Sequence, residues 1–380
     1  MLSKFDDYPI HQTSEPLAHA ATSERNFYDR TWFNGFEKDG NYYFGVGMAV
    51  YPHRGILDCH FSVIAKGGKQ YCFYGSRRAP QERSEMEVGP FRIEILDPLK
   101  SSRVVLEENE SGITCDLVFT SRTGAIEESH QTMWNGVRKM MDATRFDVFG
   151  RWSGWIETPE GRIEVNEDAC HGIKDRSWGH RQIGEPETGG APPPPNSRSF
   201  VVGFAIWAPQ VWDDHVSHVI YFDGEEGQPI YREALNAPIY ESSAAAPRVE
   251  LELDKLVNAA GHRETYVPGT RHIASAEFDM IDWKGNVRTV KVEPILRFQM
   301  KGLGYFHPKW GQGMWQGELA LGHEVIDPET LDPLDPASLH TQHVVKATDG
   351  TRTGVGIYEH FVFGPYHPTG FMEMLDGAKP

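Results

Sequence analysis

The chain has 380 residues, 39% hydrophobic and 24% charged, with a formal net charge of -17. That length supports one large all-β unit or two domains, each able to bury a core. The acidic balance, with no basic run longer than Arg77-Arg78, argues against a phosphate-tracking surface and so against nucleic acid.

The first residues carry no apolar leader, and no later stretch approaches the ~18–20 apolar residues of a membrane span. The expectation is a soluble, cytoplasmic protein without stable membrane insertion. Cys59, Cys72, Cys115 and Cys170 lack C-x-x-C spacing and read as reduced, buried thiols. Period-two alternation marks strands over 91–96 and 113–119, the latter with Ile113, Cys115, Leu117 and Phe119 on one face. Met133, Val137, Met140 and Met141 have helical spacing, weakened by Gly136. Thr158-Pro159-Glu160-Gly161 predicts a hairpin turn between 152–157 and 162–165.

Residues 171–181, H-G-I-K-D-R-S-W-G-H-R, form the densest mixture of acid, base, cation and aromatic in the chain. Trp178 predicts burial, drawing charged neighbours toward an interior where they need partners. Lys174, Arg176 and Arg181 favour an ionised Asp175, which counts against its donating a proton. Asp175 then orients His171 or His180, or pairs with Arg181; an ion pair holding the segment under Trp178 is the equal structural alternative. His171 and His180 are the proton-carrier candidates because imidazole titrates near neutrality.

Residues 184–199, with Gly189-Gly190 and Pro192 to Pro195, read as a long loop that divides the chain into β domains over 1–190 and 191–380. Residues 200–207 are apolar on both faces, as in a strand covered by two layers. His215 and His218 follow Asp213-Asp214, but H-x-x-H without a further ligand at motif spacing is weak, and no metal is expected. Strands are predicted over 248–253 and 274–280, with turns at Lys284-Gly285-Asn286 and Asp349-Gly350 and a proline-rich excursion over 327–336. Near the C-terminus, Glu359 interrupts an apolar row of Val355, Ile357, Phe361 and Phe363. It is read as an arginine's partner or as an acid with a raised pKa. Tyr358 and His360 face the other way.

Aromatic residues make up 12% of the chain, and any that line a cavity suit a large apolar ligand or a transient carbocation. There is no G-x-G-x-x-G, Walker A, G-x-S-x-G or H-E-x-x-H sequence, so nucleotide-dependent and serine-hydrolase chemistry lose ground, and no cofactor is expected.

The segment Asp175-Arg176-Ser177-Trp178-Gly179 resembles the D-[HR]-x-W-G motif of the carotenoid 1,2-hydratase-like superfamily, also called the hydroxyneurosporene synthase family. That superfamily includes kievitone hydratase and Diels-Alderase-like cyclases. The preceding hairpin ending G-R-I-E-V and the pair His171-Gly172 agree with it. The resemblance implies an all-β fold of two lipocalin-like barrels or half-barrels in tandem, with few short helices, around a pocket for a hydrophobic small molecule. It also implies cofactor-independent addition of water to a carbon-carbon double bond. Arg176 stands where carotenoid hydratases carry histidine and cannot exchange a proton near pH 7, so His180 is the candidate replacement. By rough position, Asp214 and Tyr221 are the candidates for the family's downstream aspartate and tyrosine.

The reading is a hydratase or dehydratase acting on a bulky terpenoid, steroid-like or prenylated aromatic substrate. Asp175, His180, His171 and Glu359 are its catalytic candidates; Trp178, Arg181, Trp207, Asp214 and Tyr221 are its substrate-binding ones. The alternatives are an isomerase or cyclase using the same pocket, and a non-catalytic carrier of hydrophobic molecules.

Overall fold

The computed structural model describes residues 1–135, 137–183, 191, 203–253 and 257–380. Its described residues form two barrel-like sheets of 14 and 8 strands, with paired strands antiparallel and helix confined to short 3-10 turns. The all-β fold of two packed barrel-like units is thus present. Among the described residues, no helix is long and apolar enough to cross a membrane.

The predicted alternation is explicit in Thr114–Ser121, whose Cys115, Leu117 and Phe119 point into the first barrel with Ile113. There Trp152 sits 5.2–5.4 Å from the rings of Phe33, Phe44 and Phe119 and donates to the Asn34 carbonyl at 2.7 Å. Gly172 makes this possible, since a Cβ there would lie 2.1 Å from the indole nitrogen.

Strands at the junction are buried on both faces. In Phe27–Glu37, Phe33 joins the first barrel's interior while Trp32 and Phe36 pack against the second sheet. In Phe204–Val211, Phe204, Ile206 and Ala208 fill the second barrel while Trp207 and Val211 face the junction. The doubly apolar pattern predicted for this strand has that cause; residues 200–202 lie outside the described residues. The loop over 184–199 also lies outside them, apart from residue 191. Leu319–Ile326 crosses back to pair with Gln70–Arg78, so the 14-stranded sheet draws on both sides of residue 190.

Two expected elements differ. Met133 and Met141 lie opposite each other in a pair of strands, Gln131–Asn135 and Arg138–Thr158, rather than on a helix. Tertiary pairing overrides the spacing, because the 21-residue Arg138–Thr158 strand is held along its length by neighbours, Thr114–Ser121 and Cys170–Arg181 among them. Residues 248–253 make only an isolated bridge from Val249 to Ala125; Val249 and Leu251 are exposed, and Leu253 packs against the junction core. The turns at 158–161, 284–286 and 349–350 join strands as predicted.

Candidate functional site

Arg138–Thr158, Cys170–Arg181 and Phe27–Glu37 lie side by side, with Asp147 opposite Asp175 and Asp175 opposite Trp32. This face looks toward the second sheet, where Phe204–Val211 and Thr353–Val362 set Trp207 opposite Glu359. Between the sheets lies a cavity of about 610 Å³, within the range of small-molecule sites. Its walls include Trp32, Arg145, Asp175 and Arg181 from the first sheet and Trp207, Glu359 and Phe361 from the second. Tyr305, Phe306 and His340 come from connecting segments, and the misread Met133 and Met141 also line it. Trp32 and Trp207 meet edge to face at 5.8 Å.

Glu359 is tightly held. His340 Nε2 lies 2.6 Å from its Oε1, and Gln342 Nε2 donates to Oε2. Gln342 in turn accepts from the Tyr43 hydroxyl at 2.5 Å and from Asn34 at 3.4 Å. Burial pushes the Glu359 carboxyl up, but His340 and Gln342, with Arg145 farther off, outweigh it and hold the group below its ordinary range. Neither expectation for Glu359 holds, since its partners are a histidine and an amide and its pKa falls.

Asp175 behaves oppositely. Burial raises its carboxyl and Glu359 adds to the rise; Arg145, 3.5 Å away, and the more distant Arg30 and Arg181 do not cancel it. The sequence argument for a lowered pKa counted neighbours in the chain rather than in space. Lys174 and Arg176 project from the opposite face of the strand, Lys174 to Ser102 at 3.3 Å and Arg176 to Asp29 at 2.8 Å.

Asp175, Glu359, Arg181 and Trp207 therefore share one cavity, and the other predicted site residues lie elsewhere. His180 is on the opposite face of its strand from Asp175, 3.4 Å from Glu24. His171 lines a separate cavity of about 600 Å³, four residues or about 13 Å along the strand. Burial, with Arg151 and Lys38, lowers its pKa to about 3, leaving it no proton to give at neutrality. Trp178 is 37% exposed rather than buried, edge-on to Phe146. Asp214 is a surface carboxylate beside His215, and the Tyr221 hydroxyl is used inside the second barrel on the carbonyls of Gly261 and Asp279.

Sequence reasoning missed Arg145, Trp32 and His340. The available signal was Glu359 itself: a carboxylate in an apolar row demands a partner on a neighbouring strand, and that strand begins beside His340.

Behind Arg145, ligand-capable atoms of Glu128, Asp147 and His218 lie within 4.8 Å of one another. Burial, Glu128 and Asp175 all push Asp147 well above the carboxylate range. Burial and Arg145 lower His218 to about 3, which keeps it neutral.

A model of the family of unknown function DUF8625 matches residues 2–372. The chain belongs to that family. A search of curated proteins finds no match for this DUF8625 member. Among solved structures it is similar to an AttH candidate from Nitrosomonas europaea, at 14% identity and a TM-score of 0.54 over 90% of this chain and 94% of the other. It is also similar to kievitone hydratase from Nectria haematococca, at 10% identity and a TM-score of 0.50 over 95% and 96%. At these identities the likeness is one of fold.

Proposed function

We propose that this DUF8625 protein is a lyase of the hydratase or dehydratase type, adding water to, or removing it from, a bulky apolar terpenoid, steroid-like or prenylated aromatic substrate in the cavity between the sheets. The observation that carries the reading is the opposed setting of two carboxyls in one aromatic-walled cavity: Asp175 pushed up and Glu359 pulled down. Environments that separate two carboxyls assign one as acid and the other as base.

In the hydration direction Asp175 gives its proton to one alkene carbon, and the π faces of Trp32 and Trp207 stabilise the cation left on the other. Glu359, oriented by His340 and Gln342, takes a proton from the water whose oxygen bonds to that cation. The product gains one hydrogen and one hydroxyl, and the step needs no cofactor. The fold shared with kievitone hydratase supports this reading.

Incubation with a panel of terpenoid and prenylated phenolic alkenes in 18O-labelled water tests it. A product carrying 18O is expected. An unlabelled isomer would replace it with an isomerase or cyclase, and ligand retention without turnover would leave a carrier.

A further inference from the structure

At one end of the cavity, in the wall and in the layer beneath it, lie guanidinium donors that lack acceptors. Arg30 is 2% exposed, yet none of its three guanidinium nitrogens has a hydrogen-bond partner. Arg181 lines the cavity; its Nη2 donates to the neutral Gln312 side chain at 2.8 Å and its buried Nε has no partner. Among the described residues no carboxylate lies within 4.0 Å of either guanidinium. The nearby carboxyl of Asp58 is instead engaged by the Gly313 N–H at 2.7 Å. Register puts the two arginines on one face: Arg30 opposes Ser177, which shares the face of Arg181. Tyr305, a wall residue, covers Arg30 with its ring centre 5.2 Å from the guanidinium carbon, and Arg181 lies 4.7 Å over the Tyr28 ring.

Asp58 and Asp175 act on Arg30, and Asp175 on Arg181, only from beyond ion-pair distance, so the guanidinium N–H groups themselves stay unsatisfied and open to an acceptor that can reach them. The guanidinium fork is matched to two oxygens of one group.

We propose that the cavity contains an oxyanion subsite at Arg181, reinforced from beneath Tyr305 by Arg30, that takes a carboxylate or phosphate at one end of the substrate. The inference rests on the cavity being the substrate site and adds the substrate's charge. Arg181 lies on the face of Asp175 in the same cavity and acts on its charge. The substrate is therefore acidic at its Arg181 end, with its double bond beside Asp175 and Glu359.

Binding of farnesoic acid, farnesyl phosphate and farnesol to the full chain, followed by calorimetry, tests this. At least one of the two anions is expected to bind ten-fold or more tighter than farnesol, and which one does so separates carboxylate from phosphate. Arg181→Gln should bring the anions to parity with farnesol measured on the same variant, while Arg181→Lys keeps part of the preference. Circular dichroism of both variants confirms folding. Parity in the unaltered protein, or a preference that survives Arg181→Gln, overturns the subsite while leaving the cavity as the binding site. Failure of all three ligands to bind overturns the cavity reading and the subsite with it.

Discussion

Two buried polar clusters use the same residue types to opposite ends. Inside the second barrel, His262 lies 3.0 Å from both Asp223 and Glu264. Arg232 pairs with Asp223 at 2.9 Å, and the Tyr358 hydroxyl donates to Glu264 at 2.7 Å. In the cavity between the sheets Asp175 Oδ1 is buried without a hydrogen-bond partner, and so is every guanidinium nitrogen of Arg30 beneath the wall residue Tyr305. A closed network holds a barrel together; an open one is completed by what enters it.

The largest expected effect is on turnover. Asp175→Asn and Glu359→Gln should each lower kcat by about 10²–10⁴, the usual worth of a positioned acid or base. Asp175→Asn should leave the unfolding free energy nearly unchanged, while Glu359→Gln should cost about 1–3 kcal/mol by loosening His340 and Gln342; a larger loss would move these residues into the structural class. His262→Ala should do the reverse, costing about 3–5 kcal/mol in urea unfolding because it strands two buried carboxylates.

The pH dependence sharpens the contrast. Burial lowers His262, but Asp223 and Glu264 outweigh it and raise its pKa from 6.5 to about 9. A raised folded pKa means its stabilisation is complete below about pH 6.5 and is lost as pH rises through about 9. Unfolding free energy should fall across that window by on the order of 3 kcal/mol, at roughly 1.4 kcal/mol per pH unit, and His262→Gln should flatten the slope. The smallest effect is expected at Asp214, whose side chain is 74% exposed. Asp214→Ala should stay within about 0.5 kcal/mol of the parent and turn over normally.

Much of the fold was legible because strand periodicity is local. The face of Thr114–Ser121 and the double burial of Phe204–Val211 follow from residue alternation alone. The site was legible only where one residue violated its own pattern, as Glu359 does. Asp175 does reach the cavity between the sheets, but its charge state was misread: burial and the opposing strands set it, and neither is a sequence neighbour. His171 and His180 were drawn in by proximity along the chain, which a strand converts into opposite faces and separate cavities. Arg145 and Trp32 carry no local signal, since only the register that aligns three strands brings them to Asp175.

The most direct test is a crystal structure of the protein with a bound apolar substrate or product analogue. The ligand should lie in the cavity against Trp32 and Trp207, with its reacting carbons within reach of Asp175 and Glu359. Density inside either barrel, or in the cavity beside His171, would contradict the account.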